Sequence, residues 1–118
     1  MGSGEPLVLL RHGTTRQRAE AIFRYGPDPN YKEPGESTRA EGFSTARIQS
    51  SYPYGSPNVV AAGKARLFPN EGGPAIIEIE VPLSIVQKAD LGGEVRFDYG
   101  FGLEELLAIW PSIPKRIL

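Results

Sequence analysis

The sequence predicts an α+β fold, in a single domain with a split antiparallel β-sheet and one or two helices. The chain of 118 residues contains five or more short strand patterns and one or two helical ones. These patterns do not alternate regularly, as βαβ units do, which favours an antiparallel sheet. The length suits one compact domain. The 40% of hydrophobic residues are sufficient for a core.

Composition excludes several kinds of site. Cysteine is absent and histidine occurs once, which excludes disulfides, thiolate chemistry and a histidine-rich metal centre. The net charge of -1 gives no indication of a nucleic-acid partner. No segment has the 18 or so apolar residues that span a membrane, and MGSGEP is not a signal peptide. We therefore expect a cytoplasmic domain over residues 7–118, without a metal, after a flexible N-terminus or cloning remnant at residues 1–6.

The first third of the chain predicts a strand that runs into a helix. Residues 7–11, LVLLR, form an apolar run typical of a strand buried on both faces. Thr14 and Gln17 fit a capping box for a helix over residues 15–25. Gly26 then suits the position that follows the helix C-terminus.

The rest of the sequence, after residue 26, predicts mostly short strands. Residues 75–81, AIIEIEV, alternate clearly, so Glu78 and Glu80 are expected on a solvent-facing side. Residues 104–110, EELLAIW, are apolar without alternation and are interpreted as a central strand, with a short helix as the alternative. The other predicted segments are a loop at 27–41, a strand at 42–48, a helix at 58–68, a strand at 94–100 and an edge segment at 115–118.

His12 lies where the first strand meets the helix, within LLRHGTT. This string resembles the signature of the histidine phosphatase and phosphoglycerate mutase family. That resemblance implies that His12 accepts a phosphoryl group and that Arg11 holds the phosphate. The family also uses a second histidine, which this chain lacks.

A longer ordered set of segments resembles the ADP-ribosyltransferase fold, in the branch of diphtheria toxin and the poly-ADP-ribose polymerases. HGTTRQRAEAIFRYG is similar to the first strand end and helix of that family. GFSTA, VVAAGKA, GGPAIIEIEVP and GLEELLAIWPSIP follow in the family's order. The resemblance covers residues 7–114 and implies that NAD+ binds between two halves of a split sheet as a substrate.

The resemblance also implies roles for single residues. His12 would hydrogen-bond the adenine-side ribose, Gly13 would present its backbone to the nicotinamide amide, and Thr14 would support the same corner. A late glutamate would stabilise the oxocarbenium-like charge that forms as nicotinamide leaves. Glu104 and Glu105 both occupy that place, and the spacing of Glu105 to Trp110 resembles the toxin pattern.

The family's two nicotinamide-stacking aromatics are replaced in this chain. Ser44 stands at the position of the usual tyrosine, unless Phe43 stacks instead after a shift of the strand. Lys64 aligns with the second aromatic, which Tyr52 or Tyr54 could replace. We therefore consider two hypotheses: a transferase that moves ADP-ribose to an unknown acceptor, and a degenerate domain that binds a nucleotide or a partner without turnover.

Overall fold

The computed structural model describes residues 4–28, 42–47 and 56–118. They form five strands, four helices and a 3₁₀ turn. In chain order these are β1 (Leu7–Thr15), α1 (Arg16–Tyr25), β2 (Phe43–Arg47), α2 (Pro57–Leu67), β3 (Pro74–Pro82), α3 (Leu83–Ala89), β4 (Val95–Phe97), α4 (Leu103–Ile109), the 3₁₀ turn (Trp110–Ser112) and β5 (Lys115–Ile117). None of the four helices in these ranges has the length and apolar character that a membrane-spanning helix requires.

All strand pairs are antiparallel, in the order β4-β2-β1-β3-β5. The α+β class and the antiparallel sheet are therefore confirmed. β1 and β3 pair along their whole length, from Leu7↔Pro82 to Thr15↔Pro74. The register between β1 and β2 contains only Leu10↔Arg47 and Arg11↔Ala46. The β1–β2 join is thus the weakest in the centre of the sheet, and His12 follows it directly.

The two faces of the sheet are covered differently. Alternate residues of β1 and β3, including Leu10 and Ile77, face a core built with side chains from α1, α3 and α4. Helix α2 packs on the opposite face, where Pro57 and Ala61 approach the backbone of Gly13. His12 and Gly13, as neighbours on one strand, therefore point to opposite sides of the sheet.

The predicted strand at 104–110 is wrong and the alternative, a short helix, is confirmed: residues 104–109 belong to α4, and Trp110 begins the 3₁₀ turn. Leu103, Leu106 and Trp110 are buried at the spacing of successive helical turns, and a strand could not place all three on one face. Glu104 and Glu105 lie in the first turn, where acidic side chains interact favourably with the helix dipole.

The sequence predicts one or two helices, and α3 is the helix for which it predicts nothing. The capping groups of α3 come from the distant N-terminal segment: Glu5 accepts a hydrogen bond from the backbone N–H of Ser84, and Pro6 from that of Leu83. No local capping signal precedes this helix. Glu5 and Pro6 thereby contact the folded domain directly.

Details of β1 and α1 also differ from the prediction. The first strand continues to Thr15, and Leu7 is half exposed rather than buried on both faces. The N-cap of α1 is Thr15, not Thr14: its hydroxyl accepts from the N–H of Arg18 at 3.3 Å. Gly26 ends the helix as predicted, with φ of 89°.

Candidate functional site

The imidazole of His12 bridges the two strands where their pairing stops. Its Nδ1 lies 2.6 Å from the carbonyl oxygen of Ser44. A carbonyl oxygen only accepts, so Nδ1 carries the proton and donates it. In the neutral ring Nε2 is then an acceptor, and it has no hydrogen-bond partner among the described residues. The side chain therefore presents one fixed lone pair.

Burial keeps this imidazole neutral. It lowers the pKa of His12 to about 4, and the positive charge of Lys64 on α2 adds to the effect. The hydrogen bond to Ser44 opposes the shift but is the smaller influence. Near neutral pH, His12 is consequently a hydrogen-bond acceptor and not a cation.

Aromatic rings hold the imidazole in place. The ring of Phe43 lies 4.6 Å from that of His12, centroid to centroid. Phe43 also packs against Phe97 at 6.3 Å and, edge-on, against Trp110 at 6.2 Å. With 6% of its surface exposed, Phe43 offers little open ring face to a ligand. Its observed contact orients His12.

Gly13 and Thr14 complete the corner but are both covered. A Cβ atom at Gly13 would lie 2.1 Å from the carbonyl oxygen of Pro57 and 2.9 Å from the nitrogen of Ala61. The glycine is thus required by the close approach of α2. Thr14 is 1% exposed. The predicted ligand roles of these two residues stay predictions.

Ser44 makes two contacts with different groups. Its carbonyl fixes His12, whereas its hydroxyl hydrogen-bonds the carboxylate of Glu94. The structure therefore brings His12, Phe43 and Ser44 together across β1 and β2. The tyrosine expected beside them by family resemblance has no counterpart at Ser44.

The two candidate catalytic glutamates lie at the start of α4. Glu105 forms an ion pair with Lys88 of α3, which lowers the pKa of Glu105 by hydrogen bonding. Glu104 accepts a hydrogen bond from the N–H of Gly100 at 3.0 Å. Within the described part of the chain, no hydrogen bond or ion pair joins either glutamate to His12. Their catalytic role stays a prediction.

The α4 start nevertheless reaches the aromatic cluster around His12. A Cβ atom at Gly102, the N-cap of α4, would lie 3.3 Å from the ring of Phe97. Phe97 in turn contacts Phe43. The backbone at Gly102 and the imidazole of His12 therefore both contact this cluster of packed rings.

Sequence reasoning placed Glu78 on a solvent face, which is wrong. Glu78 is 3% exposed. Its carboxylate pairs with Arg11 at 3.2 Å and with Arg116 at 2.5 Å, across three neighbouring strands. Hydrogen bonding to these arginines, Arg116 above all, lowers the pKa of Glu78. The signal that could have revealed this is an arginine on each neighbouring strand, but the register was unknown.

A second missed residue is Glu71, which fixes the start of α1. Its carboxylate accepts from the hydroxyl of Thr15 at 2.8 Å and from Nε of Arg18 at 2.6 Å. The guanidinium of Arg18 also lies 3.9 Å above the ring of Phe68. This cluster joins the start of α1 to the end of α2 beside the His12 corner.

The remaining predicted aromatics, Tyr52 and Tyr54, lie outside the described residues. Within residues 4–28, 42–47 and 56–118, no group of three or more acidic or histidine side chains is arranged to hold a metal ion.

Comparisons with protein-family models, curated proteins and solved structures found no match to this chain. The functional proposal below therefore depends on the site geometry and on the order of the segments along the chain.

Proposed function

We propose that this protein is an ADP-ribosyltransferase-like domain that binds NAD+ at His12. The observation that carries the proposal is the fixed tautomer of His12, with Nδ1–H bonded to Ser44 and Nε2 left as an acceptor. A ribose hydroxyl is a donor that matches this lone pair. A neutral ring held by Phe43 is organised before the ligand arrives, which reduces the free-energy cost of binding.

The break in strand pairing also supports this function. β1 and β2 share two residue pairs, and beyond them the imidazole of His12 donates a hydrogen bond to the carbonyl oxygen of Ser44. This is the point at which a split sheet would separate into two halves. A flat dinucleotide at such a gap would contact side chains and backbone from both strands.

In the proposed reaction, the bond between nicotinamide and its ribose breaks and ADP-ribose passes to an acceptor nucleophile. Nicotinamide leaves with the bonding electron pair, and positive charge develops on the ribose ring. A carboxylate of Glu105, or of Glu104, stabilises this charge and hydrogen-bonds the 2′-hydroxyl. Glu105 must exchange its contact with Lys88 for the ribose during this step.

A second candidate is a domain of the same fold that binds the nucleotide without turnover. This candidate is favoured because both glutamates already have partners: Glu105 forms an ion pair with Lys88, and Glu104 accepts a hydrogen bond from the N–H of Gly100. The burial of Phe43 also favours it, because little ring surface remains for stacking nicotinamide.

The phosphohistidine alternative has less support. It requires Arg11 and His12 to act on one phosphate, yet these neighbours on β1 point to opposite faces of the sheet. The guanidinium of Arg11 pairs with Glu78. A nucleophilic histidine would therefore lack the adjacent arginine.

Calorimetric NAD+ titration and chromatographic detection of free nicotinamide separate these functions. We expect His12→Ala to abolish NAD+ binding and Glu105→Gln or Glu104→Gln to abolish nicotinamide release without loss of binding. Glu20→Gln, an exposed change on α1, is the matched control. Binding without release by the wild type would support the second candidate. Absence of NAD+ binding by the wild type would contradict both.

A further inference from the structure

The contact that fixes His12 is made where β1 and β2 are no longer paired. The last residue pair between these strands is Arg11↔Ala46, and Ser44 lies two residues beyond it on β2. The carbonyl oxygen of Ser44 accepts from Nδ1 of His12 at 2.6 Å. On the other side of β2, Ser44 pairs with Arg96 of β4. The position of this carbonyl, and with it the tautomer of His12, therefore depends on what holds β2 from the β4 side.

Glu94 holds Ser44 from that side. The hydroxyl of Ser44 donates a hydrogen bond to the carboxylate of Glu94, a half-buried residue directly before β4. The backbone of Glu94 is fixed as well, because its carbonyl oxygen accepts from the N–H of Leu91 at 2.8 Å. Two hydrogen bonds thus connect the carboxylate of Glu94 to the imidazole of His12, with Ser44 as the one residue between them.

A second contact anchors the turn at residues 90–94, which carries Glu94. The carboxylate of Asp90 accepts from the guanidinium of Arg47 on β2 at 2.8 Å and from the N–H of Gly92 at 2.9 Å. The turn is thereby bound to β2 at two residues of that strand. Because the Asp90 contact limits the movement of the turn relative to β2, the carboxylate of Glu94 is held at a defined place beside it.

We propose that Glu94 is a positioning residue for NAD+ binding: by holding Ser44, it keeps Nδ1–H of His12 bonded to the Ser44 carbonyl and leaves Nε2 as an acceptor. This inference rests on the proposed function, because it takes a ribose hydroxyl as the donor to Nε2. Without the carboxylate, the Ser44 carbonyl is free to move and the proton can occupy either ring nitrogen. The apparent affinity then falls with the fraction of rings that keep the binding-competent tautomer.

The first test observes the tautomer directly and needs no ligand. The single histidine gives one pair of imidazole nitrogen signals by NMR, and near neutral pH their chemical shifts distinguish the protonated nitrogen from the unprotonated one. We expect the Nδ1–H tautomer in the wild type and a mixture of both tautomers in Glu94→Ala. Glu94→Gln keeps an acceptor for the Ser44 hydroxyl and should restore the wild-type signals.

Two further variants complete this test. Ser44→Ala removes the same hydrogen bond from its other end and should give the same mixture as Glu94→Ala, so it decides the question if Glu94→Ala does not fold. Glu20→Ala, which removes an exposed acid on α1, controls for the loss of charge and should change nothing. The Nδ1–H tautomer alone in folded Glu94→Ala or Ser44→Ala would overturn the proposal.

The second test measures NAD+ affinity by calorimetry and nicotinamide release by chromatography, with thermal unfolding as a check on folding. We expect Glu94→Ala and Ser44→Ala to weaken NAD+ binding about fivefold, and Glu94→Gln to bind and release as the wild type does. Equal affinity of Glu94→Ala and wild type overturns this inference alone. Loss of release by Glu94→Gln at unchanged affinity also overturns it, because the carboxylate would then act on the substrate itself. A wild type that does not bind NAD+ overturns the proposed function and this inference together.

Discussion

Arg11 and His12 are neighbours in the sequence, but they belong to two different arrangements on opposite faces of one sheet. On one face, Arg11 helps Arg116 to neutralise the buried carboxylate of Glu78. On the other, His12 is held by Ser44 and Phe43 and keeps one acceptor without a partner among the described residues. The first arrangement is satisfied internally, whereas in the second the described part of the chain supplies no donor to Nε2 of His12.

This difference separates a structural role from a candidate functional one within a single RHG motif. A carboxylate between two guanidiniums has its strong acceptor sites occupied, so it stabilises strand pairing. A neutral imidazole with a fixed tautomer has one acceptor available to a ligand. Alternation along β1 produces both outcomes from adjacent residues. Matching RHG as a single motif therefore groups two residues, Arg11 and His12, whose side chains lie on opposite faces of β1.

The largest loss of stability is expected at Gly13, where α2 packs against β1. Gly13→Ala would place a methyl carbon 2.1 Å from the carbonyl oxygen of Pro57, and displacing the helix should cost about 3 kcal/mol or more of unfolding free energy. Urea unfolding followed by circular dichroism measures this change. Gly63→Ala is the control, because nothing lies within 4 Å of its added Cβ and it should stabilise α2 by about 0.5–1 kcal/mol. Similar unfolding free energies for both variants would show that the packing of α2 on β1 does not require a glycine at position 13.

The second effect concerns the buried carboxylate. Glu78→Gln leaves two arginines without their counter-charge, and we expect a loss of about 2 kcal/mol, below the range for a fully buried pair because Arg116 is largely exposed. The control is Glu80→Gln, two residues along on the same face of β3, for which we expect a change below about 0.5 kcal/mol. Urea midpoints compare the two. If Glu80→Gln cost as much as Glu78→Gln, the arginine pairing would not explain the burial of Glu78.

The strand β3 and the helix α1 also show which features local sequence patterns can predict and which they cannot. The period-two alternation of AIIEIEV located β3, and the glycine after TRQRAEAIFRY located the end of α1. Both signals are local. The burial of Glu78 depends instead on which strands pair with β3 and in which register, because its partners lie 67 and 38 residues away.

The same limit explains why α3 was missed and why a helix at α4 was only the alternative interpretation. α3 is capped by Glu5 and Pro6, about 79 residues upstream of it, so no cap signal stands next to it in the sequence. For α4, the predicted segment began after Leu103, and its omission hid the helical spacing to Leu106. In the candidate site, the His12–Gly13 corner was located from the sequence. The contact of Lys88 with Glu105 was not, because it joins α3, which was not predicted, to α4, for which a helix was only the alternative interpretation.

The third prediction distinguishes His12 from Glu78 by how the free energy of unfolding depends on pH. The pKa of His12 is lowered to about 4, so between pH 6.5 and 4 protons bind the unfolded chain preferentially and stability falls as the pH falls. From pH 6 to pH 5 we expect the wild type to lose about 1 kcal/mol more than His12→Gln does. The pKa of Glu78 is also lowered, so its contribution is complete above the ordinary glutamate range and declines as the pH falls through that range and below it. Urea unfolding of both variants at several pH values measures these windows. An identical pH dependence of wild type and His12→Gln above pH 5 would contradict a buried neutral imidazole.

The smallest effect on stability is expected at the third charged arrangement, the pair of Lys88 and Glu105. Their side chains are 52% and 40% exposed, and exposed ion pairs contribute little because solvent screens them. Lys88→Met and Glu105→Gln should therefore both unfold at the wild-type urea midpoint. Their nicotinamide release should differ: Lys88→Met frees the carboxylate and retains release, whereas Glu105→Gln removes the carboxylate and loses it. Loss of release in Lys88→Met, with folding intact, would show that the ion pair itself is needed and that Glu105 does not have to leave it. A Glu105→Gln variant that still releases nicotinamide would transfer the catalytic assignment to Glu104.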